Sequence, residues 1–252
     1  MKKLLFIISI VTVFFWSCSN DSETIDENFF AVKSSTSIAA KANNANAFTT
    51  FRITIENLGG IDAYPNVLSP GIFVVQKKNT APLFISGIED FGEGLEAIAE
   101  DGDPGTLVTS LENDSEVRSH GAFTTPVGGD GPAPLPPGDS YEFYVTAKNK
   151  DYLNFATMFV QSNDLFIAPG AMGISLFNGN KQPISGDITM YLELWDAGTE
   201  VNEEPGVGPN QAPRQPGPDT GEDENGVVHL VDDGFTYPDV TDIVKVIVTP
   251  MN

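Results

Sequence analysis

Cysteine and histidine are nearly absent: the 252-residue chain has one cysteine, Cys18, and two histidines, His120 and His229. A lone cysteine excludes an intramolecular disulfide, so the fold must rest on a hydrophobic core, with or without a metal. The two histidines are far apart and neither is near the cysteine. That leaves no donor set for a histidine-based structural zinc site and few options for a Ser-His-Asp arrangement. Both histidines read as polar residues of the surface or of loops. Cations are also scarce, with 13 Lys and Arg against 35 Asp and Glu and a formal net charge of −22. Such a surface repels nucleic acid and anionic lipid, which excludes both as partners, and it favours cations, basic partners or nothing beyond solubility. G-x-S-x-G, G-x-x-x-x-G-K-[ST] and H-E-x-x-H are all missing. Carboxylate pairs of the kind glycosidases use occur in any acidic chain, and none is singled out here.

One long apolar run is present. Met1-Lys2-Lys3 is basic, and Leu4 to Phe15 is apolar apart from Ser9 and Thr12. The run is too short for a comfortable transmembrane helix and reads as a secretory signal. It ends in Phe15-Trp16-Ser17-Cys18. This resembles a bacterial lipoprotein signal, in which a small residue precedes a cysteine that is lipidated and becomes the mature N-terminus. Phe15 stands where an aliphatic residue is usual. The reading predicts a signal peptide over 1–17, an acyl anchor on Cys18, a flexible polar tether over 18–47 and a domain over 48–252. Each buried methylene of the anchor would contribute about 0.8 kcal/mol. The expected location is the bacterial cell envelope, as an outer-membrane lipoprotein attached through its anchor only. Loss of Lys2 and Lys3, with no acid before Cys18, takes the charge from −22 to −24.

From Phe48 the pattern changes. In FTTFRITIENL, Phe51, Ile53 and Ile55 alternate with Arg52, Thr54 and Glu56, the period of a half-buried strand. Further strands are predicted over 71–76, 140–147, 155–161, 188–195 and 243–249. Leu95, Ile98 and Ala99, then Leu107, Val108 and Leu111, recur at helical spacing, and Asp103-Pro104-Gly105 breaks the run. Two short helices are expected there. Residues 126–139 read as a Pro/Gly-rich loop with no core positions. Residues 201–226, with five prolines, five glycines and six acids, read as another. Strands spaced by turns, with one or two short helices inserted, predict an all-β fold, a single antiparallel β-sandwich.

Acid-rich loops suit hard cations, which take six to eight oxygens in the case of calcium. Gly221–Asp232 partly imitates an EF-hand loop. Its first ligand position is glycine and it lacks flanking helices, so it reads as an acidic turn. Glu100-Asp101-Gly102-Asp103-Pro104-Gly105 reads as a helix stop. Two stretches are more informative, Phe159–Gly170 (FVQSNDLFIAPG) and Leu192–Glu200 (LELWDAGTE). Asp164 and Asp196 each follow a predicted strand. If those strands end at one edge of the sandwich, the carboxylates converge, and their repulsion favours a cation between them. The competing reading is that Asp196 and Thr199 cap a tight turn in which Gly198 supplies positive φ.

Ser162-Asn163-Asp164-Leu165-Phe166, the Asp196-Ala197-Gly198-Thr199-Glu200 turn and the upstream segment from Gly94-Leu95 to Gly102 occur in an order that resembles the spondin N-terminal domain family. The likeness covers about residues 48–250, and D-A-G-T-[DE] is its most specific element. Leu165 stands where tryptophan is usual, the cysteines of animal members are missing, and 201–226 is an insertion. The resemblance implies a sandwich similar to the C2 type with one divalent cation, calcium, held by loops at one end. It makes Asp164 and Asp196 metal ligands, places Glu142 near a third acidic ligand position, and puts Glu200 where aspartate is frequent. The expected function is a non-enzymatic binding or adhesion module, monomeric, for an extracellular protein or glycan. The alternative is a calcium-dependent hydrolase of polysaccharide, with Phe166, Tyr191 and Trp195 as sugar-stacking candidates.

Overall fold

A computed structural model describes residues 47–60 and 64–251. The signal segment, Cys18 and residues 18–46 of the tether lie outside the described residues. Eleven strands and three short helices are found among those described. The strands are β1 (Thr49–Asn57), β2 (Leu68–Lys77), β3 (Val117–Phe123), β4 (Ser140–Ala147), β5 (Asp151–Phe159), β6 (Leu165–Pro169), β7 (Ile174–Ser175), β8 (Gly186–Asp187), β9 (Leu192–Asp196), β10 (His229–Leu230) and β11 (Val244–Met251). The helices are α1 (Leu95–Asp101), α2 (Gly105–Ser110) and α3 (Val240–Ile243). One sheet runs β4-β1-β11-β8. The other runs β10-β9-β6-β5-β2-β3, with β7 beside β5. Every pairing is antiparallel. The expected antiparallel sandwich is therefore the fold.

The two sheets differ in what covers them. In the smaller sheet, β1 buries Phe51, Ile53 and Ile55, and β11 buries Val244, Val246 and Val248, while the intervening residues face outward. These inward rows meet Leu153, Phe155, Leu165, Ile167 and Leu194 of the larger sheet in one apolar layer. The far face of the larger sheet is covered as well: Phe166, Ala168 and Trp195 pack against Leu83, Phe84 and the α1 residues Leu95, Ile98 and Ala99. Burial on both faces explains why β6 and nearly all of β5 are continuously buried and do not alternate.

α1 begins after Gly94 and stops at Gly102, whose φ of 67° lets its N–H close onto the carbonyls of Ala97 and Ile98. The helix stop expected at Gly102 is thus present. The loop over 126–139 differs from expectation. Leu135 is fully buried and bridges Leu68, and the carbonyl of Ala133 accepts a 2.5 Å hydrogen bond from the Tyr141 hydroxyl. Proline density conceals this core position, because a single apolar residue among prolines carries no period. Tyr141→Phe removes the buried hydroxyl and leaves that carbonyl without it. A loss of about 1 kcal/mol is expected, read as a melting temperature lower by roughly 2–4 °C.

Candidate metal centre

The centre forms where β6 begins and β9 ends. In their antiparallel register Leu165 lies opposite Asp196, so Asp164, one residue before β6, is brought to the same edge as Asp196. The convergence expected of these two residues is what the structure shows. Asp164 is 0% and Asp196 1% exposed.

Both carboxylates build the DAGTE turn. Asp164 Oδ2 accepts from the Thr199 N–H at 2.8 Å, the Glu200 N–H at 3.1 Å and the Thr199 hydroxyl at 3.3 Å. Asp196 Oδ1 accepts from the Gly198 N–H at 2.7 Å, and its Oδ2 accepts from Asn202 Nδ2 at 2.6 Å. Gly198 has φ 69°, so the turn-capping role of Asp196 is realised. Thr199, in contrast, donates to Asp164 and leaves the capping of its own turn to Asp196.

The turn recruits a third acid. The carbonyls of Gly198 and Thr199 accept from the N–H groups of Gly226 and Glu224, at 2.7 and 2.9 Å, and the Val201 N–H donates to the Glu222 carbonyl at 2.8 Å. This short ladder lays residues 222–226 along the turn and carries Glu224 to the two aspartates. Asp164, Asp196 and Glu224 each present a carboxylate oxygen, all within 4.8 Å of one another. Nothing in the local pattern marks Glu224, because its position depends on pairing with a segment more than twenty residues away. The acidic turn expected over 221–232 supplies a member of the centre.

Burial raises the pKa of all three carboxyl groups. At Asp164 the charge of Asp196 adds to burial, and the N–H bonds from Glu200 and Thr199 oppose it. At Asp196 the opposing contributions are the Gly198 N–H, His229 and Asn202. At Glu224 the charge of Asp196 reinforces burial. Asp164 Oδ1 is buried and has no hydrogen-bond partner among the described residues. An all-oxygen carboxylate set with a buried, unpaired oxygen fits a hard divalent cation; the nearby His229 Nδ1, 3.9 Å from Asp196 Oδ1, is engaged with the Val227 carbonyl at 2.9 Å.

Glu142 lies elsewhere, and Glu200 borders the centre, close enough for the Asp164 charge to act on it, without joining the three-carboxylate cluster. The Glu200 backbone holds Asp164, while its carboxylate, 4% exposed, turns toward the adjoining cleft formed with Glu96, Glu100 and Asp219. Glu142 is on the outward face of β4 in the other sheet. There the Tyr144 hydroxyl donates to it at 2.7 Å and Arg52 pairs with it at 3.6 Å. The structure does not bring Glu142 to the aspartates, because its place in β4 turns it away from the sandwich interior. Glu142→Gln is expected to leave any calcium response unchanged and to alter stability by less than about 1 kcal/mol in thermal melts.

No protein-family model matches the chain. No curated protein matches it either. The functional reading therefore stands on the geometry of the loop end and on the sequence.

The buried acids give the metal-free protein a pH dependence of definite sign. Glu100 and Glu200 are raised to about 7, chiefly by burial, and Asp164 is raised in the same sense. A raised carboxyl pKa means that the folded state holds its proton more tightly than the unfolded chain. The associated stability is complete below the ordinary carboxylate range and is lost as pH rises through about 7. In chelator, the melting temperature should therefore fall by several degrees from about pH 5 to about pH 8, and saturating calcium should flatten the trend. A metal-free melting temperature that rises over that interval would contradict the assignment.

Proposed function

We propose that the chain is a lipid-anchored, non-catalytic binding module of the bacterial cell envelope, of the spondin N-terminal type. Its loop end is organised by one calcium ion held by Asp164, Asp196 and Glu224. One observation carries this reading: three carboxylates from three separate segments meet within 4.8 Å around a fully buried Asp164 whose Oδ1 is unpaired. Unneutralised, such a group repels itself. A divalent cation turns the repulsion into a tie between β6, β9 and the 222–226 segment, and fixes one loop surface for a partner. That partner would be an extracellular protein or glycan, met by a monomer.

The alternative of a polysaccharide hydrolase finds less support. Phe166 and Trp195 are core residues beneath α1, with the indole N–H donating to the Ala168 carbonyl at 3.2 Å, so neither is free to stack on a sugar. Tyr191 is half exposed. The test is to present the mature domain to a glycan array and to extracellular matrix proteins, in calcium and in chelator, with product release assayed in parallel. Calcium-dependent retention without turnover is expected. Release of shortened glycans, or retention indifferent to chelator, would overturn the proposal.

A further inference from the structure

A second set of carboxylates lines the cleft on the other side of the DAGTE turn. The cleft has a volume of about 390 Å³ and is walled by α1, the turn and residues 219–226. Glu96 and Glu100 stand one helical turn apart on α1, and so share a face. With Asp219 from the opposite wall they present carboxylate oxygens all within 4.8 Å of one another. Among the described residues lining the cleft there is no lysine, arginine or histidine to balance them.

Glu200 is the independent sign that this cluster is built for a ligand. It is 4% exposed, and neither Oε1 nor Oε2 meets a well-aligned hydrogen-bond donor among the described residues, although the Asn163 side chain lies close enough to ease its charge. Its carboxylate lies against Gly221, where a Cβ would overlap Oε1 unless the Glu200 side chain moved. A buried, unpaired carboxylate is costly unless a cation or donor meets it. Glu200 lines the same cleft as Glu96, Glu100 and Asp219, and its charge acts on Glu100.

We infer that this cleft binds a second calcium ion through Glu96, Glu100, Asp219 and Glu200. Carboxylates are the ligands calcium prefers, and water entering the open cleft completes its six to eight oxygens. The ion joins α1 to the acidic 201–226 segment, which already meets that helix at Asp101, whose carboxylate accepts from Gln215 Nε2 at 2.7 Å and from the Asp219 backbone N–H. The segment read from sequence as an acidic loop thereby becomes a cation-dependent part of the domain surface. The inference uses none of the carboxylates of the first centre, so the two can fail separately.

Calcium binding to the mature chain is measured by equilibrium dialysis with radioactive calcium at about 1–5 mM free ion, the range suited to extracellular modules. Salt near physiological strength screens diffuse binding to the acidic surface. Wild type is expected to retain two ions per chain, and the double variant Glu96→Gln, Asp219→Asn one. Both altered residues are exposed, so the fold survives, and an unchanged melting curve in chelator verifies this. Asp164→Asn is also expected to retain one ion, and the triple variant none. A wild type with one ion that survives the double substitution overturns the second site and leaves the first standing. Two ions in both wild type and double variant overturn the ligand assignment. A single ion lost in the double variant but kept in Asp164→Asn upholds the second site and removes the first.

Discussion

Saturating the metal-free domain with calcium is expected to raise its melting temperature by roughly 5–10 °C. At a free concentration about a hundredfold above Kd, a ligand that binds only the folded state contributes about 2.7 kcal/mol, and a domain of this size gains about 2–4 °C per kcal/mol. Two substitutions at Asp164 separate its charge from its hydrogen-bond role. Asparagine keeps a carbonyl oxygen for the Thr199 and Glu200 N–H groups but removes the charge beside Asp196. Asp164→Asn should therefore melt no lower than wild type in chelator, yet lose half or more of the calcium-induced rise. Asp164→Ala leaves the buried Glu200 N–H and the part-buried Thr199 N–H without their acceptor and should cost about 2–4 kcal/mol whether or not calcium is present. If Asp164→Asn responds to calcium as fully as wild type, the carboxylate is a turn cap and nothing more.

The second large effect is expected at Gly198. Its φ of 69° lies in the left-handed region, and a Cβ there would sit 2.6 Å from the Val227 nitrogen and 2.7 Å from the Val227 oxygen. Those atoms are backbone in the strip that carries Glu224, so they cannot rotate aside. Gly198→Ala adds backbone strain of about 1–2 kcal/mol to displacement of residues 226–227. The total expected is about 3 kcal/mol or more in denaturant unfolding, accompanied by weakened calcium binding. Gly138 supplies the control: its φ is 92°, but a Cβ there meets nothing within 4 Å. Gly138→Ala should incur the strain alone and bind calcium normally. Equal losses at the two glycines would show that the 222–226 strip is not held against the turn.

The elements legible in the sequence are those whose two faces see different surroundings. β1 and β11 alternate because one face meets the opposite sheet and the other meets solvent. β4 occupies the expected span, Ser140–Ala147. α1 and α2 divide at the expected Asp103-Pro104 break. Elements without that asymmetry escaped. β6 is five residues long and buried on both faces, so it has no alternation to read. β3 lies at the sheet edge with polar residues on it. The strand expected over 188–195 begins only at Leu192, because Thr189–Tyr191 forms a short helical turn.

The site divides along the same line. Asp164 and Asp196 stand at the ends of strands, and their approach follows from strand direction. Glu224 reaches them only through the ladder from the DAGTE turn to residues 222–226, a pairing no local pattern encodes. The unpaired, buried Glu200 is likewise invisible before the fold places Gly221 opposite it. Glu142 shows the converse, since a position on a strand decides its face, and this face belongs to Arg52 and Tyr144.

A crystal structure grown in millimolar calcium decides whether an ion lies between the loops. A density peak with calcium's anomalous signal is expected there, coordinated by oxygens of Asp164, Asp196 and Glu224 at about 2.3–2.6 Å. Asp164 Oδ2 would keep its bonds to the Thr199 and Glu200 N–H groups while Oδ1 turns to the ion. A well-ordered loop end in saturating calcium with only water or a side-chain donor at Asp164 Oδ1 would contradict the calcium site.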